Sequence, residues 1–387
     1  MTIRVLTNIG ELTTNDPTLG DQSPMGRISN AALIVDDERV LWVGTANSSL
    51  VGDEVLDLEG AAVIPGFVDS HTHLVFAGDR SDEFEARMKG QRYDGGGINR
   101  TRQATNEASD QELRRLTEKR LRELRSGGVT TVEIKTGYSL DVDGEHRLAR
   151  IAHEFSEEVT LLGAHVVPSE FTDRRGDYIA LVRTMITQNR DYARWFDVFC
   201  DRGAFSVSEA RELLLTARDA GYQLRLHGNQ LGETGGIALA VEMDCASVDH
   251  CTFASDEDLA LLAASNTVAT LLPGAEFSTR SPYPNARRFL DRGVTVALAT
   301  DCNPGTSYTT SMSLMIALAV REMAMTPDEA LWAATLGGAR ALRRSDIGHL
   351  SVGARADYAV LDAPRAAHLA YRPGSPVIAR THRGLRL

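Results

Sequence analysis

Hydrophobic and polar positions follow two recurring patterns along most of the chain. Short apolar runs rich in β-branched residues are followed by longer stretches in which apolar residues recur every three or four positions. The first pattern is typical of strands buried on both faces, and the second is typical of amphipathic helices. Eight runs predict strands, at residues 62–73, 129–135, 159–167, 195–200, 223–228, 245–251, 267–273 and 294–301.

The stretches between these runs carry signals for the beginnings and ends of helices. Residues 109–128 begin with Ser109 and Glu112, which have the spacing of a capping box, and end at two glycines. Residues 206–221 repeat this arrangement. Eight strands alternating with helices over roughly 250 to 300 residues predict an α/β fold of the (β/α)8 TIM-like barrel type. An open doubly wound sheet shares the alternation, but no G-x-G-x-x-G motif follows the first strand to support it.

Both ends of the sequence predict further strands outside the barrel. Residues 31–44 have the pattern of a hairpin that turns at Asp36-Asp37-Glu38, and residues 351–363 contain another apolar run. We expect the two ends to pair. The prediction is therefore a small discontinuous β-sandwich domain, formed by residues 1–60 and 350–387, beside a barrel formed by residues 61–349.

Composition and charge narrow the class of partner. The 387 residues are 43% hydrophobic and 24% charged, which is ordinary for a globular protein. A net charge of -12 argues against nucleic acid or an anionic membrane as a partner and favours a small-molecule substrate. The sequence shows neither a long apolar window nor the features of a signal peptide, so we expect a cytoplasmic protein. Its four cysteines, with no C-x-x-C pair, are expected to be reduced and mostly buried.

Polar residues that bind metals cluster where the predicted strands end. An H-x-H pair on a strand projects to one face, and the C-terminal ends of barrel strands form the rim that carries the active site. The residues at these ends are His71, His73, His165, His227, His250 and Asp301. Three histidines and one aspartate suit zinc, iron or manganese and leave room for a water, which predicts hydrolysis. Solvated or structural roles are expected for the other histidines, His146, His153, His349, His368 and His382.

Several stretches at these strand ends are similar to motifs of a known family. The sequence "PGFVDSHTH", the histidines that end the fifth and sixth strands, and "ATDCNPG" resemble the metal-dependent amidohydrolase superfamily over nearly the whole chain. Within it, further stretches resemble the imidazolonepropionase family, whose members hydrolyse 4-imidazolone-5-propanoate to N-formimidoyl-L-glutamate in histidine degradation. These stretches are "HTHLVFAGDR", "YDGGGI", "VEIKTGYSL", "GAHVVP", "HGNQ", "VDHC" and "TDCNPGTS".

The resemblance implies a metal centre with catalytic groups around it. One ion, zinc or iron, would be held by His71, His73, His227 and Asp301. His250 would act as the base or polarise the carbonyl, and Asp301 would pass a proton to the departing ring nitrogen. The family also implies a homodimer.

The resemblance further implies which residues contact the substrate. Contacts to its carboxylate would come from Arg80, Tyr93 and Thr306. Contacts to the ring or to the formimidoyl group of the product would come from Tyr138, His165, Gln230, Asn303 and Gly305. Gln230 stands where deaminases of the same superfamily carry a proton-shuttling glutamate, which favours ring opening over deamination. The loop after the second strand departs from the family pattern, because Ser139 replaces an expected glycine.

Three alternatives stay open at this point. A second metal ion could be bridged by a modified Lys135, although the "TGYSL" that follows favours a single ion. A deaminase of a purine-like or pyrimidine-like heterocycle is the rival enzyme. A non-catalytic binding protein on the same fold is the rival from another class, and the four filled ligand positions argue against it.

Overall fold

A computed structural model describes residues 2–46, 50–91 and 97–384 of the chain. Its strands are β1 Arg4–Thr13, β2 Arg27–Val35, β3 Val40–Thr45, β4 Glu54–Asp57, β5 Val63–Pro65, β6 Phe67–Asp69, β7 Val129–Val132, β8 Ile134–Lys135, β9 Val159–Ala164, β10 Trp195–Cys200, β11 Gln223–Gly228, β12 Ser247–His250, β13 Val268–Leu271, β14 Val296–Leu298, β15 Tyr358–Leu361 and β16 Ile378–His382. The α-helices are α1 Ser81–Met88, α2 Ile98–Glu107, α3 Asp110–Ser126, α4 Val142–His153, α5 Arg175–Gln188, α6 Val207–Asp219, α7 Gly236–Glu242, α8 Asp256–Ala263, α9 Pro273–Thr279, α10 Ala286–Leu290, α11 Met312–Glu322, α12 Pro327–Trp332, α13 Gly338–Ala341 and α14 His368–Tyr371. A 3-10 turn spans Ser169–Phe171, and a π-helical turn spans Ala333–Gly337.

The chain forms two compact units. The first comprises Met1–Asp69, Glu123–Thr131 and Ser311–Leu387, and the second comprises Ser70–Arg122 and Val132–Thr310. The division into two domains at residues 60 and 349 stays a prediction.

The first unit contains a sheet built from both ends of the chain. Its strand order is β16-β15-β5-β1-β2-β3, with β4 paired to β1. β2 and β3 are antiparallel, which confirms the predicted hairpin, and residues 36–39 connect them. Leu6, Leu33, Val63 and Tyr358 belong to one buried hydrophobic cluster. Strands from the two ends therefore share a core, as expected from the sequence.

The first predicted strand, 62–73, is divided in the structure. β5 pairs with β1 and β15 in the terminal sheet, whereas β6 pairs with β7. Gly66 separates them, and a Cβ atom at this position would lie 2.4 Å from the Thr130 side chain. The prediction of one continuous strand was wrong because an apolar run has the same pattern whether it serves one sheet or two.

The second unit contains a parallel sheet with the order β14-β13-β12-β11-β10-β9-β8. The segment after β6 joins its two edges through backbone hydrogen bonds. The Asp301 amide donates to the His71 carbonyl (3.0 Å), the His73 amide donates to the Cys302 carbonyl (3.0 Å), and the Lys135 amide donates to the Thr72 carbonyl (2.8 Å). These bonds close the strand ends into a ring, and the predicted α/β barrel class is confirmed.

The helix signals read from the sequence also appear in the structure. The Glu112 amide donates to Ser109 Oγ at the start of α3, and the chain leaves this helix through Gly128, whose φ of 96° favours glycine. Ser206 and Glu209 form a complete capping box at the start of α6. The four cysteines are buried and free, as predicted. Across the described ranges, no helix is long and apolar enough to cross a bilayer.

Candidate active site

Four histidines meet at the C-terminal ends of the barrel strands. His71 and His73 follow β6, His227 lies near the end of β11, and His250 ends β12. The ring centroids of His71 and His227 are 4.5 Å apart, those of His71 and His73 are 5.3 Å apart, and those of His227 and His250 are 5.4 Å apart. All four side chains are buried. The structure thus brings together imidazoles that are up to 179 positions apart in sequence.

Asp301 completes this group from the segment after β14. Its Oδ1 lies 3.5 Å from His71 Nε2 and 3.6 Å from His73 Nε2. Asp301 and His250 have φ angles of 51° and 80°, which place both in the left-handed region that side chains other than glycine rarely adopt. Such conformations are held by the surrounding structure and cluster at functional sites, so the backbone is constrained where these two groups enter the site.

Two of the histidines, His71 and His227, have the hydrogen bonding of metal ligands. His71 Nδ1 lies 2.7 Å from Asp249 Oδ2, and His227 Nδ1 lies 3.0 Å from the Asp197 carboxylate. A carboxylate on one ring nitrogen fixes the imidazole and leaves the other nitrogen for an ion. His71 Nε2 is buried and has no hydrogen-bond partner among the described residues. These atoms therefore fit a metal ion better than a closed hydrogen-bond network.

Two sets of ligand atoms are close enough to share one ion. Potential ligand atoms lie within 4.8 Å of one another in the set His71, His73 and Asp301 and in the set His71, His227 and His250. Burial lowers the pKa of His71, His73 and His250 well below 6.5, so these imidazoles are neutral at pH 7, the form that binds a metal. Burial raises the pKa of Asp301 well above its usual range, and a nearby cation would favour its carboxylate instead.

A cavity of about 260 Å³ opens onto this cluster. His73, His227, His250 and Asp301 line it. Seven residues that the family resemblance assigns to substrate contact line the same cavity, namely Arg80, Tyr138, His165, Gln230, Asn303, Gly305 and Thr306. Tyr93, the remaining predicted contact, lies outside the described residues.

Residues 62–382 match the model of the amidohydrolase family. The chain belongs to the amidohydrolase family. A protein from Salinispora arenicola named imidazolonepropionase is 58% identical over 390 residues and covers 100% of this chain and 99% of its own. Another imidazolonepropionase, from Mycolicibacterium smegmatis, is 55% identical and covers 98% of this chain and 96% of its own.

Solved structures share the fold of this amidohydrolase at low sequence identity. The atrazine chlorohydrolase TrzN from Arthrobacter aurescens TC1, complexed with zinc, superposes with a TM-score of 0.70 at 17% identity and covers 98% of this chain and 93% of its own. A guanine deaminase from C. acetobutylicum has a TM-score of 0.71 at 14% identity and covers 98% of both chains. At these identities the likeness establishes the fold alone.

A buried layer of charge supports the site in this amidohydrolase. Lys135 Nζ lies 2.9 Å from Asp197 Oδ2, 3.0 Å from Glu133 Oε1 and 3.6 Å from Asp249 Oδ2. Burial alone would lower the pKa of Lys135. The carboxylates of Asp197 and Glu133 oppose this effect, and the pKa is raised overall. The amine is therefore a protonated counterion of the acids that orient His71 and His227, and this role argues against a metal-bridging lysine.

The sequence analysis did not identify these supporting charged residues, although the sequence carried a signal for them. Asp197 and Arg225 each lie between apolar residues of a strand, and Glu133 lies in the apolar run at residues 129–135. Arg225 Nη2 donates to the Ser70 carbonyl at 2.7 Å and lies 3.4 Å from Asp249 Oδ2. A charged residue inside a buried strand needs a partner, so these interruptions mark a polar network within the barrel.

The loop after Asp301 is organised by Asn303. Its Oδ1 accepts from the amides of Gly305 and Thr306, each at 2.8 Å, and its Nδ2 donates to the Asp301 carbonyl at 2.6 Å. Thr306 Oγ1 donates to Asp301 Oδ2 at 3.2 Å. Asn303 thus uses both atoms of its amide to shape the turn, and this turn places Thr306 against Asp301.

An aromatic wall lines another part of the cavity. The rings of His73 and His165 stack with centroids 5.6 Å apart, and Tyr138 lies 5.7 Å from each of them. His165 Nδ1 lies 3.0 Å from the Gly137 carbonyl, and burial lowers the pKa of His165 to about 4. A neutral His165 therefore donates from Nδ1 and keeps Nε2 as an acceptor.

Arg80 and Gln230 belong to loops that are held by carboxylates. Arg80 is 5% exposed and forms an ion pair with Glu83, whose Oε2 lies 2.7 Å from Arg80 Nη2. The backbone amide of Gln230 donates to Asp201 Oδ2 at 2.7 Å. Neither Glu83 nor Asp201 was among the residues predicted from the sequence.

Proposed function

We propose that this amidohydrolase opens the ring of 4-imidazolone-5-propanoate to give N-formimidoyl-L-glutamate. Relatives named imidazolonepropionase, 53% to 58% identical over nearly the full chain, support this reaction. The observation that carries the proposal is a single cavity lined by both the histidine and aspartate cluster and the Arg80 guanidinium. Such a cavity suits a substrate with a hydrolysable ring and a carboxylate.

One metal ion would be held by His71, His73, His227 and Asp301. The buried and unpartnered Nε2 of His71, together with the fixed orientation of His227, supports this ligand set. When bound, the ion supplies Lewis acidity and lowers the pKa of a water. Zinc and iron are the proposed metals.

His250 and Asp301 would accept and donate the protons of the reaction. His250 is neutral at pH 7 because burial lowers its pKa. A neutral imidazole has one nitrogen that can accept a proton and one N–H that can polarise the ring carbonyl by donating to it. Oxygen from water forms the new bond to the carbonyl carbon, and the ring C–N bond breaks. Asp301 accepts a proton from that water and delivers it to the departing nitrogen.

The remaining cavity residues would bind the two parts of the substrate. Arg80, Tyr93 and Thr306 are the proposed contacts to the propanoate group. Gln230 would hydrogen-bond the ring amide with its donor and its acceptor, and a glutamine at this place does not relay protons to leaving ammonia. The proposed ring contacts also include Tyr138, His165, Asn303 and Gly305.

The test offers the purified protein imidazolonepropionate and follows the loss of its ultraviolet absorbance while ammonia is measured in parallel. Consumption without ammonia supports the proposal. Ammonia release from heterocyclic amines without imidazolonepropionate consumption would replace it with deamination. Protein without bound metal, and without activity after zinc, iron or manganese is added, would indicate a binding protein. Cytoplasmic location and a homodimer stay predictions.

A further inference from the structure

The Arg80 guanidinium has two edges in different surroundings. Its Nε donates to both carboxylate oxygens of Glu83 at 3.1 and 3.0 Å, and its Nη2 donates to Glu83 Oε2 at 2.7 Å. Nη1 has no hydrogen-bond partner within the described parts of the chain. A guanidinium has five N–H donors in a rigid plane. Glu83 occupies the Nε/Nη2 edge, so the Nη1/Nη2 edge remains available to a ligand.

Two glycines fit against this ion pair so closely that a side chain at either position would collide with it. A Cβ atom on Gly97 would lie 2.2 Å from Arg80 Nη2 and 2.3 Å from Glu83 Oε2. A Cβ atom on Gly305 would lie 2.5 Å from Arg80 Nη1. Gly97 has an ordinary φ of -71°, so conformational freedom does not require glycine there. Close approach to the Arg80–Glu83 pair is the physical reason for it.

The helix that carries Glu83 also fixes the loop opposite Arg80. Glu83 lies in the first turn of α1, and Arg87 lies in its last turn. Arg87 is buried and donates from Nη2 to the Gly305 carbonyl at 2.7 Å. One short helix therefore sets both the guanidinium and the loop against which the guanidinium packs.

We propose that Glu83 and Gly97 are positioning residues that make the cavity selective for a substrate with a carboxylate. They hold the Arg80 plane so that its Nη1/Nη2 edge alone receives the carboxylate in a two-bond contact. This inference deepens the proposed function and rests on it for the identity of the substrate. A freely rotating arginine side chain would lose conformational entropy when it bound the carboxylate. A guanidinium that is already held in place avoids this loss.

The first test measures the kinetics of E83Q on imidazolonepropionate. Glutamine keeps the length of the side chain but removes the charge and one acceptor, so the guanidinium is free to rotate. We expect KM to rise about tenfold or more, with kcat within about twofold and the metal content unchanged. G97A should act in the same direction, because its new Cβ would displace Nη2. E85Q is the matched control, because Glu85 lies on the same helix and pairs with Lys89 on the surface and not with Arg80.

The second test measures binding without turnover. Imidazole-4-propanoate and 4-ethylimidazole differ in the carboxylate, and titration calorimetry on the metal-loaded protein gives the affinity for each. We expect the wild-type protein and E85Q to prefer the acid. E83Q should lose most of that preference while its affinity for 4-ethylimidazole stays the same. R80A lacks the guanidinium, so its ratio of the two affinities defines complete loss of the preference for the acid.

The two tests separate this inference from the proposed reaction. If the wild-type protein consumes imidazolonepropionate and E83Q has the wild-type KM and the wild-type preference for the acid, the inference is wrong and the reaction stands. Loss of metal from E83Q would also overturn it, since Glu83 would then support the metal site. If the wild-type protein does not consume imidazolonepropionate but E83Q loses the preference for the acid, the reaction is wrong and the positioning role stands.

Discussion

Replacing Lys135 by methionine should destabilise the protein far more than removing a lysine from its surface. The ammonium is fully buried and lies within 3.6 Å of three carboxylates, those of Asp197, Glu133 and Asp249. Methionine fills a similar volume without charge. The K135M variant therefore leaves buried acids that have lost their closest counterion.

The distances indicate the size of the effect. At an effective dielectric constant of about 20, charges 2.9 Å apart attract with about 6 kcal/mol, which describes the contact with Asp197. Protonation of Glu133, whose pKa burial already raises, relieves part of the loss. Removing one partner of a buried pair typically costs about 3 to 5 kcal/mol, and we expect K135M to fall in this range.

Urea unfolding of the metal-free protein measures this cost. K89M is the matched control, because Lys89 pairs with Glu85 at the surface, where their side chains are 78% and 70% exposed. It should change the free energy of unfolding by less than about 0.5 kcal/mol. The double variant K135M/E133Q should recover part of the loss, because it removes one of the unpaired acids. A K135M protein within about 1 kcal/mol of wild type would refute the reasoning.

Three further predictions concern pH, metal and catalysis. Burial raises the pKa of Glu276 from 4.5 to about 7, so the folded protein keeps a proton that the unfolded chain has lost between these pH values, and its free energy of unfolding falls as pH rises through them. In urea unfolding, E276Q should therefore gain about 3 kcal/mol relative to wild type between pH 4.5 and pH 8. A difference that does not change with pH would contradict this prediction. Chelation should abolish activity, and zinc or iron should restore it, while circular dichroism stays constant throughout; unfolding on chelation would count against a preformed site. H250N should lower kcat by about 10² to 10⁴ with its metal retained, which steady-state kinetics and metal analysis measure together, and wild-type kcat would remove His250 from the mechanism.

The sequence predicted those parts of the site that follow from strand position. β10 and β11 have the bounds that their apolar runs predict, and His227 lies near the end of β11 as expected. Asp301 joins His71 and His73 because the closed barrel brings its first and last strand ends together. A residue at a strand end can be placed by counting strands, because every parallel strand ends on the same rim.

The pattern of hydrophobic and polar residues could not predict which side chains contact one another. Lys135, Asp197 and Asp249 lie on three different strands. Their contacts depend on which residues face inward at one level of the barrel. The packing of Gly97 against Arg80 depends on the path of a loop. Periodicity reports burial and strand ends, but it carries no information on which buried charges meet.

The buried lysine and arginine of the barrel bear on how the protein acquires a metal ion. Lys135 and Arg225 neutralise the carboxylates of Asp197 and Asp249 from within the protein, and these carboxylates orient His227 and His71. The imidazoles are therefore held in place by the chain itself, so folding does not have to wait for an ion. We therefore expect the protein to fold before an ion binds, and the ions available at that point would then decide which metal occupies the site.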